Sequence, residues 1–309
     1  MMMASISNSI GLLYLTQGVI SGIGSSLAWF PCISAPQQWF STRRGLAVSV
    51  SYMGSGIGGL VLSNIIRVSI ESVGVQYSLR ILGFIQLVLL GIAFLTVKPL
   101  NPIKGEQVPF IDISPFKSSK FWILAAVHGI CNFAFYIPPA FVPSYATTLG
   151  IKKAISSNMA AVLSGVMVVG KLISGLGNDF FGRSNMLVFY TMMCGVVCLA
   201  VWLNAHTESI LWVFVVLFGL TGGGYVVSVS SVIAEAVGLE MIESANGWLF
   251  FAWIFGGLLG QPVSALIIDH DGGSYTGAII FAGVLFIASG VAAVVLRFMR
   301  SGPKLFVKI

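Results

Sequence analysis

"GVMVVGKLISGLGNDFFGR", residues 165–183, carries one lysine in an apolar run and then a turn rich in glycine and charge. Ten of its first eleven residues would suit the middle of a lipid bilayer, and Lys171 would not. A charge at that depth costs at least about 2.5–3.5 kcal/mol, so a chain that keeps it has a use for it. What the use is depends on the surroundings, and composition identifies those. Hydrophobic residues make up 57% of the 309 and charged residues 8%, against roughly 25% charged in a soluble domain. So few charges cannot cover a water-facing surface of this size. Apolar stretches of about 20 residues recur along the chain, the length that crosses a hydrocarbon core as a helix. Membrane β-strands are shorter and alternate, and that pattern is absent. The sequence therefore predicts an all-α polytopic membrane protein.

Working outward from 165–183, nine spans are expected, at about 8–30, 45–66, 78–97, 121–144, 155–177, 186–204, 209–235, 246–268 and 276–298. The connections are short except "KPLNPIKGEQVPFIDISPFKSSK" (98–120), which is polar and punctuated by proline. That segment divides the chain into a partial bundle of three spans (1–97), a cytoplasmic linker (98–120) and a six-span bundle (121–309). Basic residues orient it. With the loop at 37–44 in the cytoplasm, that side holds Arg43, Arg44, Lys98, Lys104, Lys117, Lys120, Arg183, Arg297, Arg300, Lys304 and Lys308, eleven in all. The other side holds four: Arg67, Arg80, Lys152 and Lys153. The expected C-terminus is inside and the N-terminus outside. Transporters are often built from three-span and six-span repeats, so three plus six reads as a six-plus-six protein without its first three helices.

Composition also limits the chemistry. The formal charge of +6 is scattered between spans, which does not suit nucleic acid. Cys32, Cys131, Cys194 and Cys198 sit in apolar runs without metal-ligand spacing, so neither a metal nor a cofactor is expected. No phosphate-binding loop, HExxH pair or GxSxG elbow is present, which argues against an enzyme or an ATP-driven pump.

The turn after the fifth span, "GLGNDFFGR" (175–183), matches G-x-x-x-D-x-x-G-R and resembles the loop between the second and third helices of each half of major facilitator superfamily transporters. Gly175, Asp179, Gly182 and Arg183 carry the match. The glycines permit close helix approach and a tight turn, and Asp179 is placed to pair with a helix end or a basic group, latching a cytoplasmic gate. The other reading is an ordinary cytoplasmic turn. A second segment, "QQWFSTRRGLAVSVSYMGSGIGG" (37–59), is similar to the region between helices four and five of the monocarboxylate porter family, its fungal members above all. Trp39 and Phe40 suit the interface, and Arg43 and Arg44 suit the cytoplasmic side. Gly54 and Gly58 have the spacing that lets helix backbones touch. "FVPSYATTLGI" (141–151) is similar to the end of helix seven there.

In that family an arginine at the position of Lys171 faces the central cavity and an anionic substrate, which implies a cavity role for Lys171. Snorkelling toward the cytoplasmic interface, roughly 12 Å away at 1.5 Å per residue, and a structural ion pair are the alternatives. Many animal members of that family carry an aspartate one turn earlier, linked to proton coupling; Met167 stands here, so this position offers no carboxylate for such coupling. On the fourth span His128, Asn132 and Tyr136 recur every four residues and share one face. They read as a lining of the solute path or as interhelical hydrogen bonds, and Pro138 and Pro139 just beyond should break the helix. Tyr225, after a glycine cluster on the seventh span, is a further cavity candidate. The resemblance implies a secondary transporter moving a small organic anion, monocarboxylate or related metabolite, with a coupled proton as a further expectation. The alternative is a truncated, non-transporting membrane protein or a regulatory partner, with a partner chain unidentified. The plasma membrane is the expected location, with vacuolar or other organelle membranes as alternatives.

Overall fold

A computed structural model describes residues 1–7, 9–98, 100, 112–238 and 241–301. Residues 101–111, most of the expected linker, lie outside the described residues, as do Lys104, Lys304 and Lys308. Among the described residues the chain is helical throughout, with no strand. Among the described residues eight helices are long and apolar enough to cross a membrane: Ile10–Trp39, Arg44–Thr96, Ser119–Thr148, Lys153–Phe181, Arg183–Trp202, Glu208–Val237, Ile242–His270 and Thr276–Arg300.

The second of these makes two crossings. Its 53 residues would reach about 80 Å as one straight helix, against a core of about 30 Å. Gly74 breaks it at φ 81°, ψ 170°, a backbone shape that a side chain would oppose. The second arm returns to the side it left. Lys98 at its end offers its carbonyl to Trp39 Nε1 at 2.8 Å, while Arg80 near the bend reaches Ser5 Oγ at 3.2 Å. The nine expected crossings are therefore present. We label them α1 (Ile10–Trp39), α2 (44–73), α3 (75–96), α4 (Ser119–Phe135) with its continuation α5 (Ile137–Thr148), α6 (Lys153–Phe181), α7 (Arg183–Val196, extending to Trp202), α8 (Glu208–Val237), α9 (Ile242–His270) and α10 (Thr276–Ser301).

The α4–α5 break falls at Tyr136, two residues before the Pro138-Pro139 pair, as the sequence predicts. Proline at the first positions of a helix loses no hydrogen bond, so a new helix starts where the old one stops. Between α6 and α7 the chain turns at Gly182, φ 94°.

The main core belongs to α4–α10. Phe121, Leu124, Met159, Leu163, Trp202, Phe214, Phe218 and Phe286 are fully or almost fully buried there. By contrast α1 and α3 turn large apolar side chains outward, among them Leu27, Leu87 and Phe94, as lipid-facing helices do. A smaller cluster of Ile33, Val48, Tyr52 and Val227 joins α1 and α2 to α8. The helix that holds the molecule together is α6, packed on α8 along one side and on α2 along the other.

Candidate functional site

The seam between α2 and α6 is built from glycine and small polar residues. Along α2 the contact face runs through Gly45, Ser49, Tyr52 and Gly56, and along α6, in the opposite direction, through Val168, Lys171, Gly175 and Asp179. A methyl on Gly45 would lie 2.7 Å from the Gly175 carbonyl, and one on Gly175 would lie 2.2 Å from Ser49 Oγ. The two backbones meet because neither position carries a side chain. Gly54 and Gly58, which the spacing rule singles out, face open space instead. The close approach uses the neighbouring face of the same helix, because a small-xxx-small pair is equally present on a lipid-facing side.

At the Gly182 end of α6 Asp179 crosses this seam. Its Oδ1 accepts from the Gly45 N–H at 2.8 Å and its Oδ2 from the Leu46 N–H at 3.0 Å. Gly45 and Leu46 are in the first turn of α2, where backbone N–H groups have no partner inside the helix. A carboxylate there satisfies two of them and meets the positive end of the helix dipole. Asp179 thus caps a helix of the preceding three-span segment from the six-span segment. Arg183, also matched by the turn motif, stays within the six-span bundle: Glu235 takes Arg183 Nη1 at 2.6 Å and Arg300 Nη1 at 2.8 Å, tying α7, α8 and α10 together. Gly182 makes the turn between them. Arg44 donates from Nε to the Phe40 carbonyl at 3.0 Å, and Arg43 is exposed beside it.

Two turns above Asp179, the Lys171 ammonium donates to Ser55 Oγ at 2.9 Å and to the Tyr52 carbonyl at 3.2 Å. Only 9% of the residue is exposed. Both acceptors are neutral, so its charge has no acidic partner among the described residues. It is turned across the seam rather than drawn down toward the interface. The Tyr52 hydroxyl reaches Ser230 Oγ of α8 at 2.6 Å. On the opposite side of α6, Ser174, Asn178, Ser228 and Ser231 form a buried chain of hydrogen bonds to α8. Close glycine contacts accompany it: a methyl on Gly223 would lie 2.3 Å from the Met167 carbonyl.

The stripe on α4 forms a separate cluster. His128 Nδ1 is 2.9 Å from the Tyr225 hydroxyl of α8, and its Nε2 is buried with no hydrogen-bond partner. Asn132 turns back on its own helix, donating to the His128 carbonyl at 2.7 Å. From α9, Trp253 stands edge-on to His128 at 5.5 Å and stacks on Tyr136 at 6.0 Å. Phe250 completes the group at 4.8 Å from Trp253. So His128, Tyr136 and Tyr225 come together, while Lys171 bonds across a different interface.

Sequence reasoning overlooked Tyr52, Ser55 and Trp253. Tyr52 and Ser55 were visible as polar positions three apart on the helix after Arg44, whereas nothing local separates Trp253 from lipid-facing aromatics. The Ser174/Asn178 and Ser228/Ser231 pairs, at helical spacing in apolar runs, were a readable sign of a polar seam.

The sequence profile of the Major Facilitator Superfamily matches residues 1–189 and, a second time, 124–308. The chain belongs to this superfamily. Its relatives include the MFS transporter asaE of Aspergillus flavus, 33% identical over all of this chain and 70% of its own length. The MFS-type transporter opdF of Penicillium oxalicum is 30% identical over all of this chain and 73% of its own. A fujikurins efflux protein of Gibberella fujikuroi is 29% identical over 92% of this chain and 62% of its own length. The crystal structure of the superfamily transporter FucP in the outward conformation shares the fold, with a TM-score of 0.74 at 15% identity, covering 95% of this chain and 78% of FucP. This superfamily protein is an integral, multi-pass membrane protein of a transporter family, not an enzyme.

Proposed function

We propose that this superfamily member is a secondary transporter that moves a small organic anion, a monocarboxylate or a related metabolite, by alternating access between the segment α1–α3 and the bundle α4–α10. The observation that carries this reading is the Lys171 ammonium, buried in the α2–α6 seam with neutral acceptors only. Burial makes an uncompensated charge attractive to an anion, and a seam held by the Asp179 cap, the two Lys171 hydrogen bonds and glycine packing can separate and re-form. Asp179 is the latch of the cytoplasmic side in this reading, with Arg43, Arg44 and Arg183 around it. His128, Asn132, Tyr136 and Tyr225 line the solute path, where the unpartnered His128 Nε2 offers one further hydrogen bond. The resemblance to the fungal monocarboxylate porters supports the anion class. The name of the Gibberella fujikuroi relative supports outward movement.

The test is ligand-dependent thermal stabilisation of the purified chain with a panel of monocarboxylates and their neutral amides. Stabilisation by the acids and not the amides is expected, lost in Lys171→Met and partly retained in Lys171→Arg. Equal behaviour of the two variants, or stabilisation by the amides alone, would refute the anion site.

A further inference from the structure

One open cavity of the six-span bundle does not have Lys171 among its walls. It is a groove of 920 Å³ on the lipid-facing side of α6 and α7, walled by Ile173, Leu176, Phe180, Phe181 and Phe189. Its depth comes from Gly177: a methyl there would press on Met186 Cε at 2.8 Å. At its cytoplasmic end, sharing Leu176 and Phe180, a second cavity of 450 Å³ is bounded by Thr42, Arg43 and Leu46 of the first segment and by Asp179. The two adjoin at these side chains and together give a channel-shaped surface, apolar along α6 and α7 and polar beside Arg43 and Asp179.

Arg43 is the unusual residue of this channel. Arg183 and Arg300 share Glu235, and Arg44 bonds to Phe40, but among the described residues the Arg43 side chain has neither an ion pair nor a hydrogen bond. Asp179 is close by and does not neutralise it, since both carboxylate oxygens are taken by Gly45 and Leu46 N–H groups. Its negative charge works against an anion here, and the N-terminus of α2 offsets it.

We propose that an anionic phospholipid of the cytoplasmic leaflet occupies this channel, its phosphate at Arg43 and Thr42 and an acyl chain between α6 and α7. A free phosphate would leave the apolar groove unfilled, and a neutral lipid would bring no net charge to Arg43. Anionic headgroups attract a juxtamembrane arginine with about 1 kcal/mol, which corresponds to about fivefold in affinity. Because the channel is bounded by α2 and α6 together, the bound lipid bridges the seam beside the Asp179 cap. The proposal rests on charge and shape and stands whether or not Lys171 binds a solute.

The experiment is native mass spectrometry of the delipidated full chain, titrated with phosphatidylglycerol or phosphatidylcholine of identical chains. The first phosphatidylglycerol should bind about fivefold more tightly than phosphatidylcholine. Arg43→Gln should remove that preference and Arg43→Lys keep most of it, with unchanged melting temperatures since the residue is exposed. Millimolar inorganic phosphate should fail to displace the lipid. Equal binding of both lipids, a preference that survives Arg43→Gln, or displacement by phosphate would each overturn the proposal.

Discussion

Replacing Asp179 by asparagine tests the proposed latch most directly. The aspartate makes two hydrogen bonds to backbone N–H groups of α2, at 2.8 and 3.0 Å, and each bond to a charged acceptor is worth about 1.5–3 kcal/mol. Asparagine keeps one acceptor but turns an NH₂ toward the other N–H, and it removes the charge from the helix end. Because Asp179 is partly exposed, the lower end of the range applies, a loss of about 2 kcal/mol. That is a factor of about 30, so a sealed-to-open ratio of about 100:1 would fall to about 3:1. The assay is pulsed electron spin resonance between labels at Ser41→Cys and Phe181→Cys, both exposed and on opposite sides of the seam. Cys32→Ser removes the half-buried native thiol, and the other three cysteines are buried. In detergent micelles the asparagine variant should show a second, longer distance at roughly a quarter of the population. Melting temperature measured on the same samples separates opening from unfolding. A single unchanged distance in a folded Asp179→Asn protein would refute the assignment of Asp179 as the tie between the two segments.

Four other substitutions give independent expectations. Gly223→Ala drives a methyl into the Met167 carbonyl at 2.3 Å and should destabilise by about 1–3 kcal/mol. Gly54→Ala, which meets nothing within 4 Å, should be neutral or slightly stabilising by thermal denaturation. Glu235→Gln should cost about 1–3 kcal/mol by releasing Arg183 and Arg300 together, and a double-mutant cycle with Arg183→Leu should show coupling rather than additivity. Asp112, outside the spans, accepts from the Ser114 N–H at 2.9 Å and its hydroxyl at 2.8 Å, which holds its carboxyl below the ordinary aspartate range. Since the folded form has the lower pKa, this hold is complete above the ordinary aspartate value and is lost as pH falls through the folded one. Ser114→Ala should move the titration upward, read by the carboxyl carbon shift of Asp112.

The number of crossings, their approximate limits and the all-helical class could be read from residue order alone. Hydropathy acts on one segment at a time: a stretch of 20 apolar residues must hide its backbone polar groups in a helix whatever surrounds it. The same locality made the Pro138-Pro139 break and the turn at Gly182 legible. Asp179 was half legible, because its motif indicated a latch without naming the partner. Which helix faces which is a different kind of information. Gly54 and Gly58 are four residues apart on the same helix as Gly45 and Gly56, which are eleven apart, yet only the second pair touches α6. Lys171 was visible as a costly charge, but its acceptors are 116 and 119 residues away in sequence. Arg183 turned to Glu235, and His128 to Tyr225 and Trp253, for reasons that no local pattern contains. Helix faces inside a bilayer all satisfy the same solvent, so hydrophobicity cannot rank them. Only close packing and the pairing of buried polar groups, which exist once the helices are assembled, decide among them.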